Sequence, residues 1–144
     1  MKKVLFVCSG NTCRSPMAME MFNNIVKKKN VNAVAFSAGL YAMDGVDFSE
    51  NSVKALQEYG IILKGESRQV TEDMLRKSDY VFGLTNLIGL EIISTFPEYA
   101  EKVYRFPEEV SDPFGGDVGM YKICLVKITA GIEKIITAIQ SGKI

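Results

Sequence analysis

The segment that most limits the possible folds is VLFVCSGNTCRSP, residues 4–16, in which an apolar run leads into a small polar loop. Consecutive apolar residues rich in branched side chains, as at positions 4–7, are typical of a strand buried on both faces in a parallel sheet. Proline is favoured in the first turn of a helix, so Ser15-Pro16 indicates that a helix begins directly after the loop. This order of strand, tight loop and helix favours an α/β fold with the loop at a helix N-terminus.

The loop has the character of an anion-binding site. Five residues separate Cys8 from Arg14, so the chain must curl and direct several backbone N–H groups towards one centre, helped by Gly10 and by Asn11, which tolerates a left-handed backbone. The dipole of the following helix also favours an anion at this point. We therefore predict that inorganic phosphate or a similar oxyanion binds to Ser9, Gly10, Asn11, Thr12, Cys13, Arg14 and Ser15.

Side chains at the border of the loop suggest a reaction. Loop amides, the helix dipole and a cationic arginine would stabilise the thiolate of Cys8, which makes a cysteine a competent nucleophile. Arg14 offers a planar fork of donors that suits two oxygens of a phosphoryl group, and a lysine cannot supply this geometry. The hydroxyl of Ser15 can donate to the sulfur, both as nucleophile and as leaving group. We predict Cys8 and Arg14 as catalytic residues.

The composition narrows the chemistry. The chain has no histidine, which excludes a cysteine–histidine pair and the commonest transition-metal ligand, so acid–base catalysis must come from a carboxylate. The 17 basic residues balance the 17 acidic ones, and no apolar run approaches the roughly 20 residues that span a bilayer. We expect no metal, no cofactor, no nucleic acid and no membrane as partners. Three cysteines without an export signal favour reduced thiols and a cytoplasmic location.

Helical and strand patterns alternate along the rest of the chain. Strands are predicted at 4–7, 31–37, 80–84 and 102–106, and helices at about 15–29, 49–59, from 71, 86–96, and along an apolar stripe from Tyr121 to Ile139. This alternation predicts a three-layer doubly wound sandwich around a four-stranded parallel sheet, with the phosphate loop between strand 1 and helix 1. Residues 65–70 are expected to be a polar connector. With 144 residues and 16.0 kDa, residues 1–144 are expected to form one domain.

A second chemical feature follows the last predicted strand. In Asp112-Pro113-Phe114-Gly115-Gly116, the proline holds the aspartate extended and the two glycines allow a sharp reversal before the final helix. An Asp-Pro pair is usually a turn device, but this one lies at the sheet edge that also carries Cys8. We predict that Asp112 is the catalytic general acid, which then activates water.

Together these motifs resemble the low-molecular-weight protein tyrosine phosphatases. The resemblance is carried by Cys8-(five residues)-Arg14-Ser15 near the N-terminus, by Ser37-Ala38-Gly39 after the second strand, and by Asp112-Pro113-Phe114, at compatible spacing over nearly the whole chain. It implies a phosphorylated protein as substrate and a two-step transfer through a cysteinyl-phosphate. Cys13 lies across the same loop from Cys8, close enough for a reversible disulfide that protects the nucleophile, as the resemblance also implies. The alternative is that Cys13 is only a small buried side chain.

Two departures from the tyrosine-specific pattern bear on the substrate. Tyrosine-directed members tend to carry a bulky aliphatic residue before the second loop cysteine and consecutive aromatic residues after Asp-Pro, whereas this chain has Thr12 and then Phe114-Gly115. Both features resemble the bacterial branch that acts on protein phosphoarginine, in which the loop threonine selects against phosphotyrosine. We therefore predict a protein arginine phosphatase, with a protein tyrosine phosphatase as the alternative. The predicted specificity residues are Thr12, Tyr41 and Phe114, although Thr12 could serve loop geometry alone and Tyr41 could cap the core edge.

Two further functions are considered. A thioredoxin-coupled arsenate reductase shares the fold and the loop, but it needs additional cysteines near the middle of the chain, and none lies between Cys13 and Cys124. A non-catalytic phosphoprotein-binding module would usually have lost the nucleophile or the acid, and both are present. Cys124 lies beside the stripe of the last helix and is expected to be a core residue.

Overall fold

Strands and helices alternate in the computed structural model, which describes residues 1–144. The elements are β1 (Lys2–Cys8), α1 (Arg14–Lys29), β2 (Ala33–Gly39), α2 (Glu50–Gln57), α3 (Glu72–Lys77), β3 (Tyr80–Gly83), α4 (Asn86–Thr95), a 3₁₀ helix (Pro97–Lys102), β4 (Val103–Arg105) and α5 (Val118–Gln140). The strands form one parallel sheet in the order β2-β1-β3-β4. The predicted doubly wound sandwich with four parallel strands is therefore confirmed.

The two faces of β1 meet different layers of the sandwich. Phe6 packs on Phe22 of α1, with ring centroids 5.8 Å apart, and α1 in turn packs against α5. Leu5 points to the opposite face, because successive side chains of a strand alternate, and there α3 contacts β1 and α4 contacts β3. A single cluster of 35 buried apolar residues joins these layers. No helix combines the length and the apolar character that crossing a membrane requires.

The start of β2 differs from the prediction of a strand over 31–37. Asn30 ends α1 in the left-handed conformation, with φ of 55°, and the Val31 N–H donates to the Val26 carbonyl at 2.9 Å. This closure of the helix end uses Val31, so that the strand begins two residues later, at Ala33. The strand also ends two residues later than predicted, at Gly39, which lies beside the phosphate loop.

The region before β4 also differs from the prediction. The proline at position 97 was expected only to end α4, but it occupies the first turn of a 3₁₀ helix that runs to Lys102. The strand predicted at 102–106 is therefore shorter, at Val103–Arg105. The predicted helix starts at Ser49 and Thr71 are correct, since their side chains accept hydrogen bonds from the N–H groups three residues later.

The segment 65–70 is more than the polar connector that was expected. It returns to the end of β2, where the Gly39 N–H donates to the Arg68 carbonyl at 2.9 Å and the Val70 N–H donates to the Gly39 carbonyl at 2.9 Å. These bonds lay the segment beside the carboxyl end of the strand. They place Ser67 and Arg68 directly behind the phosphate loop.

Candidate active site

The loop between β1 and α1 keeps its N–H groups free and has its carbonyls held from outside. Backbone N–H groups of residues 9–13 donate to no protein acceptor, whereas the Cys8 carbonyl accepts from Leu40 N–H at 3.0 Å and the Ser9 carbonyl from Tyr41 N–H at 2.9 Å. Since α1 begins at Arg14, these free donors lie at the positive end of a helix dipole. This is the arrangement that binds an oxyanion.

Asn11 gives the loop its turn. Its φ is 54°, and Gly10 does not take a positive φ, so the asparagine alone adopts the left-handed conformation in the loop. Its side chain is 1% exposed and its Nδ2 donates to Ser15 Oγ at 2.8 Å and to Ser37 Oγ at 3.0 Å. Asn11 thus has the left-handed backbone that the sequence predicted for it, and its side chain points into the protein, where it fixes the shape of the loop.

Two residues that sequence reasoning missed complete the support of Asn11. Ser67 Oγ donates to the Asn11 carbonyl at 2.8 Å, and the Arg68 N–H donates to Asn11 Oδ1 at 2.8 Å. Gly39 packs against the same turn so closely that a Cβ there would lie 2.6 Å from the Ser9 carbonyl oxygen and 2.9 Å from Asn11 N. The ends of β1 and β2 and the segment 65–70 therefore enclose the loop.

Cys8 is buried and its Sγ lies 2.9 Å from Ser15 Oγ. The Ser15 hydroxyl has one proton and accepts from Asn11 Nδ2, so its proton is directed either to the sulfur or to the Ala38 carbonyl at 3.3 Å. A Cys8 thiolate can therefore receive a hydrogen bond from Ser15 without any movement of the loop. This places the predicted nucleophile and its predicted hydroxyl donor together.

Arg14 connects the loop to the predicted general acid. Its buried guanidinium donates to the Val110 carbonyl at 3.1 Å and to Ser9 Oγ at 3.3 Å, and it lies 3.7 Å from Asp112 Oδ2. The Asp112 side chain is half exposed, and its Oδ1 accepts from the Phe114 N–H at 3.0 Å. The structure thus brings together the arginine and the aspartate from opposite ends of the chain.

The other two cysteines are buried, and all three are free thiols. Cys13 Sγ lies 3.2 Å from the Tyr121 hydroxyl and 3.5 Å from Thr12 Oγ1. Burial, followed by the hydrogen bond with Cys13, raises the pKa of Tyr121 to about 12. Burial likewise raises the pKa of Cys124 to about 12. Sequence reasoning placed Tyr121 in an apolar stripe and missed its polar contact, which no local pattern could reveal.

Two exposed aromatic residues flank the site. Tyr41 follows β2 and Phe114 follows Asp112, and both side chains are largely exposed. The Tyr41 hydroxyl donates to the carboxylate of Glu91 on α4, and this hydrogen bond is the main reason for the raised pKa of Tyr41. Glu91 is a contact that the sequence did not indicate. No group of histidine, cysteine, aspartate or glutamate side chains converges as a metal ligand set would.

A parallel α/β sheet with a cysteine at the end of its first strand, a loop of free N–H groups and an arginine at the start of the next helix is the arrangement of the cysteine-dependent phosphatases. The chain belongs to the low molecular weight phosphotyrosine protein phosphatase family, because the family model matches residues 3–143. The resemblance inferred from its motifs is thereby confirmed, as is the prediction of a hydrolase of the protein phosphatase type.

Some individual relatives are named protein-arginine-phosphatases and others protein-tyrosine-phosphatases. A protein-arginine-phosphatase of Bacillus subtilis is 36% identical over 126 residues, which cover 83% of this chain and 84% of the relative. A low molecular weight protein-tyrosine-phosphatase PtpB of Staphylococcus haemolyticus is 30% identical over 94% of this chain and 98% of its own length. Among solved structures, a YwlE mutant from Bacillus subtilis superposes with a TM-score of 0.92 at 31% identity, covering 97% of this chain and 99% of that one.

Proposed function

We propose that this chain removes phosphate from phosphorylated arginine residues of proteins, with a cysteinyl-phosphate intermediate on Cys8. The observation that carries the proposal is the Cys8 Sγ, 2.9 Å from a hydroxyl donor, at the mouth of a loop with free N–H groups and beside the Arg14 guanidinium. In the first step the Cys8 thiolate attacks phosphorus in line while the loop and Arg14 bind the equatorial oxygens. The P–N bond breaks, and Asp112 gives its proton to the leaving nitrogen.

The second step reverses the role of the acid. Asp112, now a carboxylate, takes a proton from a water molecule whose oxygen attacks the phosphorus, and the S–P bond breaks to release phosphate and the Cys8 thiolate. Ser15 can then donate its hydroxyl proton to the departing sulfur, since Oγ and Sγ are already in contact at 2.9 Å. Bond formation and proton transfer in both steps use only groups of this chain and water.

Replacement of Cys8 and Asp112 tests this mechanism. Cys8→Ser is expected to lose turnover of p-nitrophenyl phosphate and to retain binding of inorganic phosphate, measured by calorimetry. Cys124→Ser, which alters a buried cysteine outside the loop, is the matched control and should keep its turnover. Asp112→Ala is expected to slow the first step most for poor leaving groups. Normal turnover by Cys8→Ser would end the proposal.

The choice of phosphoarginine over phosphotyrosine as the substrate rests on Thr12 in the loop and on the residues that follow Asp112. Thr12 offers a short side chain where tyrosine-directed relatives carry a bulky aliphatic one, and Phe114 is followed by Gly115, with φ of 84°, rather than by a second aromatic side chain. This segment therefore offers one aromatic side chain, and not two in succession, for stacking on a phenol ring. The Bacillus subtilis relative with 36% identity bears the name protein-arginine-phosphatase, which supports the same substrate.

A comparison of two substrates tests the choice. Peptides carrying phosphoarginine or phosphotyrosine are compared by kcat/KM in the native chain, in Thr12→Ile and in Thr12→Ser, the control that keeps a small hydroxyl side chain. We expect phosphoarginine to be preferred by the native chain and by Thr12→Ser, and the preference to move towards phosphotyrosine in Thr12→Ile. Preference for phosphotyrosine in the native chain, unchanged in Thr12→Ile, would refute the arginine assignment.

The second candidate is a protein tyrosine phosphatase. The observation in its favour is the pair of exposed aromatic side chains, Tyr41 and Phe114, on either side of the site, since aromatic faces suit a phenol ring. The name of the Staphylococcus haemolyticus relative points to the same activity. In this case, Tyr41→Ala is expected to raise KM for a phosphotyrosine peptide and to leave KM for phosphate monoesters without a ring unchanged.

We also propose that Cys13 protects the nucleophile. Peroxide would oxidise the Cys8 thiolate to a sulfenic acid, and the Cys13 thiolate would then attack that sulfur and displace hydroxide, giving a disulfide that a thiol reductant reopens. Both sulfurs are buried at the same loop. After prolonged excess peroxide, native protein should recover in dithiothreitol, whereas Cys13→Ala should not, because its unprotected sulfenic acid is oxidised further by peroxide to a sulfinic acid that thiols do not reduce. Equal recovery of the two would contradict this role.

The setting of the reaction follows from the same proposal. The substrate is a phosphorylated protein and the product in the loop is inorganic phosphate. We treat residues 1–144 as one catalytic domain, because the single buried cluster reaches from Val4 to Ile136. Free thiols at the site suit a reducing compartment, the cytoplasm. Cell fractionation followed by immunodetection tests the location.

A further inference from the structure

A groove of about 940 Å³ opens along the β2 edge of the sheet, where Met19 of α1 also lines it, and it lies apart from the candidate reacting groups, since Cys8, Arg14 and Asp112 do not line it. Its floor is formed by Leu5 and Phe36, which are cross-strand partners in β1 and β2. The segment 64–69 and the short helix α3 form its walls. The volume lies within the range of small-molecule sites, about 300–1,000 Å³.

Residues in the wall of this groove are the ones that hold Asn11 from behind. Ser37 accepts from Asn11 Nδ2 at 3.0 Å, Ser67 donates to the Asn11 carbonyl at 2.8 Å, and the Arg68 N–H donates to Asn11 Oδ1 at 2.8 Å. All three line the groove. From Asn11 the contacts continue through Ser15 Oγ to Cys8 Sγ, at 2.8 Å and 2.9 Å. Ser67 in the groove wall therefore lies three hydrogen bonds from the nucleophile.

The groove offers an apolar surface for a ligand. Phe36 leaves 47% of its surface exposed on the floor, a large fraction for an aromatic side chain on a central sheet. Further apolar side chains surround it, and these are Leu5, Met19, Phe48 and Met74. A planar apolar body would cover this surface and remove it from water, which favours binding.

The charges around this apolar surface favour an anion. Lys3, Lys64 and Arg68 line the groove and make no ion pair, whereas Lys77 is paired with Asp73 at 3.0 Å. Among the acidic side chains of the lining, Asp73 is thereby neutralised, and Asp44 accepts from the Gln69 N–H at 2.7 Å. Asp44 keeps its charge, because its donor is a neutral N–H, and Glu66 is also unpaired, so three unpaired cations face two carboxylates and leave an excess of one positive charge.

We propose that this groove is a regulatory site for a small amphipathic anion with a planar apolar body, and that its occupation slows the reaction at Cys8. The Ser67 hydroxyl has one proton. Ser67 is 1% exposed, so an anion bound by the Arg68 guanidinium reaches its hydroxyl only by drawing residues 67 and 68 away from Asn11, which breaks the bonds from Ser67 Oγ and from the Arg68 N–H. Asn11 then orients Ser15 towards Cys8 less well, so the Cys8 sulfur loses a hydrogen-bond donor and reacts more slowly.

The coupling is reciprocal. Phosphate bound by the loop N–H groups stabilises the ordered form of Asn11, in which Ser67 is engaged, and therefore lowers the affinity of the groove for its anion. By linkage the two ligands weaken each other by the same factor. Couplings of this kind are commonly at least about 5-fold.

The probe for the test is 8-anilinonaphthalene-1-sulfonate, an aromatic sulfonate whose fluorescence rises on binding to apolar sites. It is titrated into the native chain, into Phe36→Ser, and into Leu87→Ser, a control that removes an apolar side chain 71% exposed on α4 and outside the groove. We expect saturable binding with one site, weakened at least about 5-fold in Phe36→Ser and unchanged in Leu87→Ser.

The coupling between the groove and the phosphate loop is measured from the reactivity of the Cys8 thiol. The rate at which neutral iodoacetamide alkylates Cys8, located by tandem mass spectrometry, should fall about 5-fold when the groove is filled, and Ser67→Ala should abolish this response. The proposal rests on Cys8 as the reactive thiol, but alkylation needs no phosphatase activity, so its failure is distinguishable from failure of the proposed function. Unchanged probe affinity in Phe36→Ser, equal loss in both serine variants, or an alkylation rate indifferent to the probe would each overturn the proposal.

Discussion

The stability of the phosphate loop is predicted to depend on Asn11 more than on any other side chain in it. Asn11→Ala removes the hydrogen bonds to Ser15 and Ser37 and the bond from the Arg68 N–H. At about 1 kcal/mol net for each bond, the loss is about 3 kcal/mol. Alanine at a φ of 54° adds about 1–2 kcal/mol, because its Cβ crowds the backbone in the left-handed region. The free energy of unfolding should therefore fall by about 4–5 kcal/mol.

A second variant separates these two costs. Asn11→Gly loses the same hydrogen bonds but adopts a positive φ freely, so it should lose about 3 kcal/mol and remain more stable than Asn11→Ala by about 1–2 kcal/mol. Asn51→Ala is the control, because it removes one hydrogen bond, to the Gly116 carbonyl at 3.3 Å, and should cost about 1 kcal/mol. The measurement is urea unfolding followed by circular dichroism, since the chain has no tryptophan.

The turnover of these variants is measured well below their unfolding midpoints. Both Asn11 variants should show kcat/KM for p-nitrophenyl phosphate far below that of Asn51→Ala, since Ser15 is no longer oriented towards Cys8. An Asn11→Ala protein within about 1 kcal/mol of the native stability, or one as stable as Asn11→Gly, would refute the reasoning about the hydrogen bonds or about the backbone.

Three further predictions concern packing and pH. Gly39→Ala should lower the free energy of unfolding by about 3 kcal/mol, because its Cβ would lie 2.6 Å from a loop carbonyl oxygen. Gly10→Ala is the control and should be tolerated, since the nearest atom to its Cβ would be 3.8 Å away. Denaturant unfolding of the two variants tests this difference in stability. Gly131→Ala should cost about 1–3 kcal/mol, because its Cβ would overlap the Phe106 ring at 2.3 Å, and Tm should fall accordingly. Burial raises the pKa of Cys124 from 9.0 to about 12, so the folded chain keeps a proton that the unfolded chain releases, and stability should fall as pH rises from 9 towards 12. Cys124→Ala should fall less steeply over this range, and an identical slope would contradict the assignment.

The fold could be predicted from the sequence, and the candidate catalytic side chains could be chosen from it, because both depend on local patterns. The alternation of patterns predicts the parallel sheet, and its geometry brings the ends of β1 and β2 to one edge. Cys8, Arg14 and Asp112 could be chosen because each residue type suits one chemical role within a short motif. Their proximity in the structure, with Arg14 3.7 Å from Asp112, agrees with that choice.

What surrounds these residues could not be predicted, because it depends on contacts between distant parts of the chain. Ser67 and Arg68 contact Asn11 across 56 and 57 residues of chain. The sequence of a polar segment does not show whether the segment supports a distant loop or forms a surface turn. The Tyr121 hydroxyl meets Cys13 across 108 residues. The late start of β2 depends on one asparagine that can close a helix in the left-handed conformation, an option that the apolar pattern does not encode.

The bond from Arg14 to the Val110 carbonyl spans 96 residues of chain, and this span sets an order of events during synthesis. A ribosome releases the cysteine loop early, but the segment that carries Asp112 emerges only when most of the chain has been made. Domains close such long-range contacts late, because the entropy of the intervening chain must first be lost. A nascent chain therefore carries the thiol of Cys8 long before it possesses Asp112, and Arg14 gains its anchor, and the candidate site its final form, only after most of the chain has been made.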